Sequence, residues 1–176
     1  HSSFAHECPL KISSYERLEF LGDSILGTYM TTEVFKRFST LPEGKLSKLR
    51  AAFVCERSFA SIANHLELGE LVIVGKGELD QELSNALLCD IFESFIGAIY
   101  AHFGVSKTFD VIDQIINDYQ ERINKDFFDE EILFDFDPKT QLQEYCLGEY
   151  KLTPAYSYEQ DENQFIASVS IKDEDI

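Results

Sequence analysis

Apolar residues recur at helical spacing through the first 125 or so positions and then give way to strict alternation. Leu26, Met30, Val34 and Phe38 repeat one turn apart, which predicts a helix running from about Tyr15 to Phe38 behind a short lead-in over residues 1–14. Pro42 and Gly44 break that pattern, so Ser39–Gly44 reads as a loop. Lys45–Arg57 reads as a second helix and Ser58–Leu66 as a third, with Phe59, Ile62, Ala63 and Leu66 on one face. Leu68–Leu79 is turn-rich around Gly69, Gly75 and Gly77. Ala86–Phe103 is the most apolar stretch, and Phe109–Ile123 follows with Val111, Ile112, Ile115, Ile116 and Tyr119 facing inward. Asp126–Asp137 interleaves acids with Phe127, Phe128, Phe134 and Phe136. Pro138 then opens a new element, a short helix over Lys139–Cys146. Ala155–Glu159 and Phe165–Ile171 alternate in polarity about the Gln160–Asn163 turn, the pattern of a hairpin. The expected organisation is a helical domain over 1–126, an acidic linker over 127–137, and a helix with two strands over 138–176.

Composition changes this picture at three points. A hydrophobic fraction of 44% and an aromatic fraction of 13% exclude a disordered chain. Ala86–Phe103 raises the question of a membrane span, but Asp90 and Glu93 inside it would cost several kcal/mol in lipid. A buried helix is therefore expected, with no membrane partner. The chain begins at His1 with no charged-then-apolar leader, so it reads as a fragment or trimmed chain with no visible targeting signal. Cys8, Cys55, Cys89 and Cys146 are widely spaced, which fits neither a zinc site nor a disulfide framework and points to a reducing, cytoplasmic setting.

Net charge is −17, unevenly spread. Residues 1–60 carry eight Lys and Arg against seven Asp and Glu, whereas 61–176 carry seven against twenty-five. Composition alone argues against a polyanionic partner, because phosphate binding ordinarily leaves a basic footprint. The local exception is Lys45, Lys48 and Arg50, either a solvated helix face or a phosphate contact. Gly75-Lys76-Gly77 is not a phosphate loop: five residues separate Gly69 from Gly75, and Gly77 stands where a magnesium-binding hydroxyl belongs.

The candidate chemistry lies in carboxylates placed inside apolar helices. At roughly 100° per residue, Glu16, Glu19 and Asp23 fall within about 60° of one another, beside Leu18, Leu21, Ile25 and Leu26. Such acids are either a solvated face or a group that needs a cation or proton. Asp90 and Glu93 repeat the arrangement three residues apart, with no cation within a turn. If the two helices cross, Glu19, Asp23, Asp90 and Glu93 present the oxygen ligands that magnesium or manganese prefer. The alternative is general acid–base work by a carboxylate pair, as in glycosidases.

Glu16-Arg17-Leu18-Glu19-Phe20-Leu21-Gly22-Asp23-Ser24 resembles the signature motif of the ribonuclease III family. The likeness extends to His1–Ala5, Gly44–Ser47, Leu68–Glu70, Gly75–Glu78 and Asp90–Tyr100, in order and at family-like spacing. Asp137–Glu144 and the hairpin resemble the first helix and first two strands of a double-stranded-RNA-binding domain. The resemblance implies an all-α endonuclease domain, a ribonuclease III-like helical bundle, followed by an incomplete α+β double-stranded-RNA-binding domain. It further implies hydrolysis of double-stranded RNA with Mg2+, for which Mn2+ can substitute, leaving 5′-phosphate and 3′-hydroxyl ends, in rRNA or mRNA processing. By position, Glu19, Asp23, Asp90 and Glu93 match the metal carboxylates, with Asp23 and Glu93 catalytic. Glu16 and Glu43 match secondary acids of the cleft, and Phe20 a contact of a homodimer. Gln141, Gln143 and Glu144 match RNA-contacting positions, beside Lys45, Lys48 and Arg50 in the nuclease domain. Departures from the family pattern are the acidic run Glu78–Glu82, and Cys89 and Phe95 where smaller residues are common. A non-catalytic RNA-binding or assembly scaffold of the same fold is the alternative, marked in principle by loss of a metal carboxylate; all four are present.

Overall fold

The computed structural model describes residues 1–9, 13–76, 83–161 and 164–171. The acidic run Glu78–Glu82 and the tip of the hairpin at 162–163 lie outside them. The chain divides into two compact units, His1–Glu130 and Glu131–Ile176.

The first unit is helical: α1 (Ser2–Glu7), α2 (Glu16–Arg37), α3 (Glu43–Phe53), α4 (Glu56–His65), a 3-10 turn (Leu68–Leu71) and α5 (Asn85–Ile123). The apolar repeat of α2 is buried as read, with Leu26, Met30 and Val34 inaccessible or nearly so. It packs mainly on α5, whose opposite flank holds α4 through Phe59 against Phe92, ring centroids 5.4 Å apart. A polar bolt locks the far end of the α2–α5 pair, where the Tyr29 hydroxyl donates to Asp113 Oδ1 at 2.5 Å. Burial and that carboxylate push the Tyr29 phenol well above its ordinary value.

Local differences from the sequence reading have identifiable causes. The lead-in contains α1, whose Ser3 hydroxyl accepts from the Gly75 amide and whose Glu7 carboxylate accepts from the Lys76 amide. The break expected between Arg57 and Ser58 falls earlier: α3 begins just after Pro42 and ends at Phe53, and Cys55 is extended at φ −70°, ψ 153° ahead of α4. Ser58 ties this corner by donating to the Ala52 carbonyl at 3.0 Å. The two apolar helices expected over 86–123 form one element interrupted at Gly104, whose φ of 77° and ψ of 178° suit a residue without Cβ. The stretch expected as a linker, 127–137, is divided. Phe127 and Phe128 pack on Phe53 in the first unit, with centroids at 5.5 and 5.2 Å, and Arg37 lies over Phe128.

The second unit holds α6 (Ile132–Phe136), α7 (Pro138–Glu149) and the antiparallel strands β1 (Ala155–Asp161) and β2 (Gln164–Ser170). Asp137 caps α7 by accepting from the Thr140 amide, and Pro138 occupies the first turn, where its missing N–H costs nothing. The register pairs Tyr156 with Val169, Tyr158 with Ala167 and Gln160 with Phe165, which gathers the aromatic positions on one face. Tyr156 reaches α7 from that face, donating to the Lys139 carbonyl at 3.4 Å.

Candidate metal centre

Two glycines let α2 and α5 touch backbone to backbone. A Cβ on Gly22 would lie 1.8 Å from the Glu93 carbonyl oxygen, and one on Gly97 would lie 2.0 Å from that of Leu18. No side chain fits in this contact, so the residues that flank it face each other at short range: Glu19 and Asp23 around Gly22, Asp90 and Glu93 on the turns before Gly97.

The electrostatics record that proximity. Burial and the charge of Asp23 push Glu93 up to about 7 from an ordinary 4.5; Asp90 and Glu19 add to the rise, and a hydrogen bond from Cys89 opposes it. Partial burial raises Glu19, with Asp90, Glu16 and Asp23 acting in the same direction. Partial burial also raises Asp90, seconded by Glu56. The Cys89 thiol, buried beside Glu93, is pushed far above its ordinary value and donates to Glu93 Oε1 at 3.5 Å. One ligand atom each of Cys89, Asp90 and Glu93 lies within 4.8 Å of the others.

Among the described residues, no Lys, Arg or His forms an ion pair with Glu19, Asp23, Asp90 or Glu93. Glu19, Asp90 and Glu93, partly withdrawn from water and raised, stand near exposed Asp23 as a set of oxygen donors that suits a hard divalent ion. The fit is chemical: carboxylate oxygens from two helices that cross backbone to backbone.

The remaining sequence candidates fall around this centre or away from it. Glu16 is exposed, accepts from the Ser14 hydroxyl at 2.9 Å and contributes to the rise at Glu19. Glu43 accepts from Ser47 at 2.8 Å and lines a separate groove of about 250 Å³ with Thr31, Phe35 and Arg50. Arg50 also borders a larger groove of about 590 Å³, lined by Asp23, Ser24, Thr28, Thr31 and Thr32. Lys45 is exposed on α3 and Lys48 partly buried. Phe20, within the carboxylate-bearing turns of α2, is 78% exposed. Gln141, Gln143 and Glu144 lie on α7 in the second unit. Sequence reasoning assigned no part in the site to Glu56, Cys89, Gly22 or Gly97. Gly97 carried a usable signal, since a glycine one turn after Glu93 in an apolar helix marks a close approach.

Comparisons with known proteins agree with this architecture. The family model described as Ribonuclease-III-like matches residues 1–119. Ribonuclease 3 of Borreliella burgdorferi is 35% identical over 164 residues, covering 92% of this chain and 64% of that protein. Ribonuclease 3 of Lactiplantibacillus plantarum is 41% identical over 137 residues, covering 77% of this chain and 56% of that one. The chain thus spans less than two thirds of the length of these relatives. A solved nuclease domain of ribonuclease III from Campylobacter jejuni, studied for flexibility in a region involved in dimer formation, superposes with a TM-score of 0.59 at 38% identity. That match covers 62% of this chain and 78% of the other. A matched family model across most of the helical unit, with relatives this similar along most of the chain, leaves one assignment: the chain belongs to the ribonuclease III family.

Proposed function

We propose that this chain carries the catalytic unit of a magnesium-dependent endonuclease that hydrolyses double-stranded RNA to short duplexes. The observation that supports the reading is the α2–α5 crossing, where an Asp90 oxygen lies within 4.8 Å of a Glu93 oxygen, Asp23 and Glu19 of α2 are close enough to raise Glu93, and, among the described residues, no protein cation pairs with any of the four. A divalent cation held there supplies activation of a water molecule and charge neutralisation at the scissile phosphate. Mg2+ is the ion this oxygen set suits, and Mn2+ can substitute. Glu19 and Asp23 from α2, with Asp90 and Glu93 from α5, hold it in place. In this reading Glu93 also accepts the proton of the attacking water. The water oxygen bonds to phosphorus, the P–O3′ bond breaks and the departing O3′ takes a proton from solvent, leaving a 5′-phosphate and a 3′-hydroxyl.

Glu16 and Glu43 are secondary acids on the approach. Lys45, Lys48 and Arg50 on α3 meet the phosphate backbone, and α7 with its hairpin is the N-terminal part of a double-stranded-RNA-binding domain that reads A-form shape. The catalytic unit is His1–Glu130, and the RNA-binding part lies in Glu131–Ile176. Exposed Phe20 packs into a second copy of the chain, making the enzyme a homodimer. Its setting is RNA processing in the cytoplasm. The charge of −17 favours a second reading, a non-catalytic scaffold. Against it stands the presence of all four carboxylates.

The test is incubation of long duplex RNA with the protein, with and without Mg2+. Cleavage to short duplexes requires the metal, and Glu93→Gln abolishes it in a protein that stays folded. A Glu93→Gln variant that cleaves like the wild type refutes the assignment.

A further inference from the structure

We propose that Cys89 is a positioning residue for the cation site, its S–H holding the Glu93 carboxylate in the orientation that ligates; the inference rests on the cation-site reading above. Cys89 stands one helical turn before Glu93 on α5 and is 8% exposed. Its sulfur lies 3.5 Å from Glu93 Oε1, within hydrogen-bond reach for a thiol donor. Among the described residues, no other donor reaches the Glu93 carboxylate. Without that bond, a glutamate side chain with three rotatable torsions is restrained only by packing. With it, Oε1 is anchored to the helix that bears it, beside an Asp90 oxygen that lies within 4.8 Å of a Glu93 oxygen and of the Cys89 sulfur. Partners that orient a ligand in this way set metal affinity.

The test is binding of Mn2+ to the metal-free full chain, followed by loss of the free-ion paramagnetic resonance signal. Cys89→Ala removes the donor, Cys89→Val removes it while filling the space, and Cys89→Ser restores an O–H at the same position. Because a thiol is a weak donor, Ala and Val should each weaken Mn2+ binding by roughly three- to tenfold, below the about 10–100-fold typical of such partners. Ser should stay within about twofold of wild type, as its hydroxyl also donates. Circular dichroism should show all of them folded. Wild-type affinity in the Val variant, or an equal loss in Ser and Val, overturns the positioning role. A Glu93→Gln control separates the two levels. If it loses Mn2+ while Cys89→Val keeps it, only the positioning role fails; if Glu93→Gln keeps wild-type affinity, the cation-site reading itself fails.

Discussion

Replacing Gly97 by Ala puts one methyl group into the contact on which the whole site depends. Its Cβ would stand 2.0 Å from the Leu18 carbonyl oxygen, where ordinary contact begins at 3.4 Å. The neighbour is main chain in the first turn of α2 and cannot rotate away, so the helices must separate by about 1.4 Å at the crossing. Overpacking of this kind costs about 1–3 kcal/mol, and a clash with backbone belongs at the upper end. For a unit of this size, about 3 kcal/mol lowers the melting temperature by roughly 10 °C. Activity should suffer beyond stability, because Glu19 and Asp23 move with one helix while Asp90 and Glu93 move with the other. A misplacement of about 1 Å in a catalytic constellation can cost on the order of 100-fold in rate. Duplex-RNA cleavage measured well below the lowered melting point should fall by about that factor. Gly27→Ala is the stability control, on α2 with nothing within 4 Å of the added Cβ, and it should stabilise by about 0.5–1 kcal/mol. A Gly97→Ala protein that melts within about 1 °C of wild type and cleaves normally would refute the close-crossing argument.

Two further outcomes follow from groups the structure singles out. In metal-free protein, Glu93 titrates near 7 when folded against 4.5 ordinarily, so the folded state binds the proton more tightly. The resulting stability is complete below about 4.5 and is lost as pH rises through about 7. Allowing for solvent screening of a half-exposed group, the loss amounts to about 1–2 kcal/mol. Urea unfolding of wild type and Glu93→Gln at pH 5 and pH 8 isolates it: the variant should gain relative stability at the higher pH, and an unchanged difference rules the effect out. Tyr29→Phe removes the donor to Asp113, which is exposed enough for water to replace the bond, so the expected loss in urea unfolding is about 1.5 kcal/mol. A loss under about 0.3 kcal/mol would show that the bolt adds nothing.

How much of this was legible beforehand depends on whether a feature is local or relational. The buried stripe of α2, the capped start of α7 and the alternating strands are local, set by spacing and by residues such as Asp137 and Pro138, and each stands close to its expected place. The break read between Arg57 and Ser58 falls instead at Cys55, a corner that no Pro or Gly between Lys45 and Leu66 marks. It exists because Ser58 reaches back to Ala52, a tertiary choice. Phe127 and Phe128 were read as linker because acids surround them; their assignment to the first unit depends on Phe53, more than seventy residues earlier.

The candidate site shows the same division at higher resolution. Four acids inside apolar helices could be picked out from periodicity alone, since burying an uncompensated carboxylate is costly and therefore informative. Periodicity cannot say how closely two helices approach. Here that distance is set by residues with no chemistry of their own, Gly22 and Gly97, which bring backbone to backbone. Burial at this crossing raises Glu93 most, and Asp23 on the other helix adds to the rise. The acids name the class of ligand, but the glycines decide whether those acids act as one site, and for that reason the methyl group at Gly97 is the sharper probe of this fold's chemistry than removal of any single carboxylate.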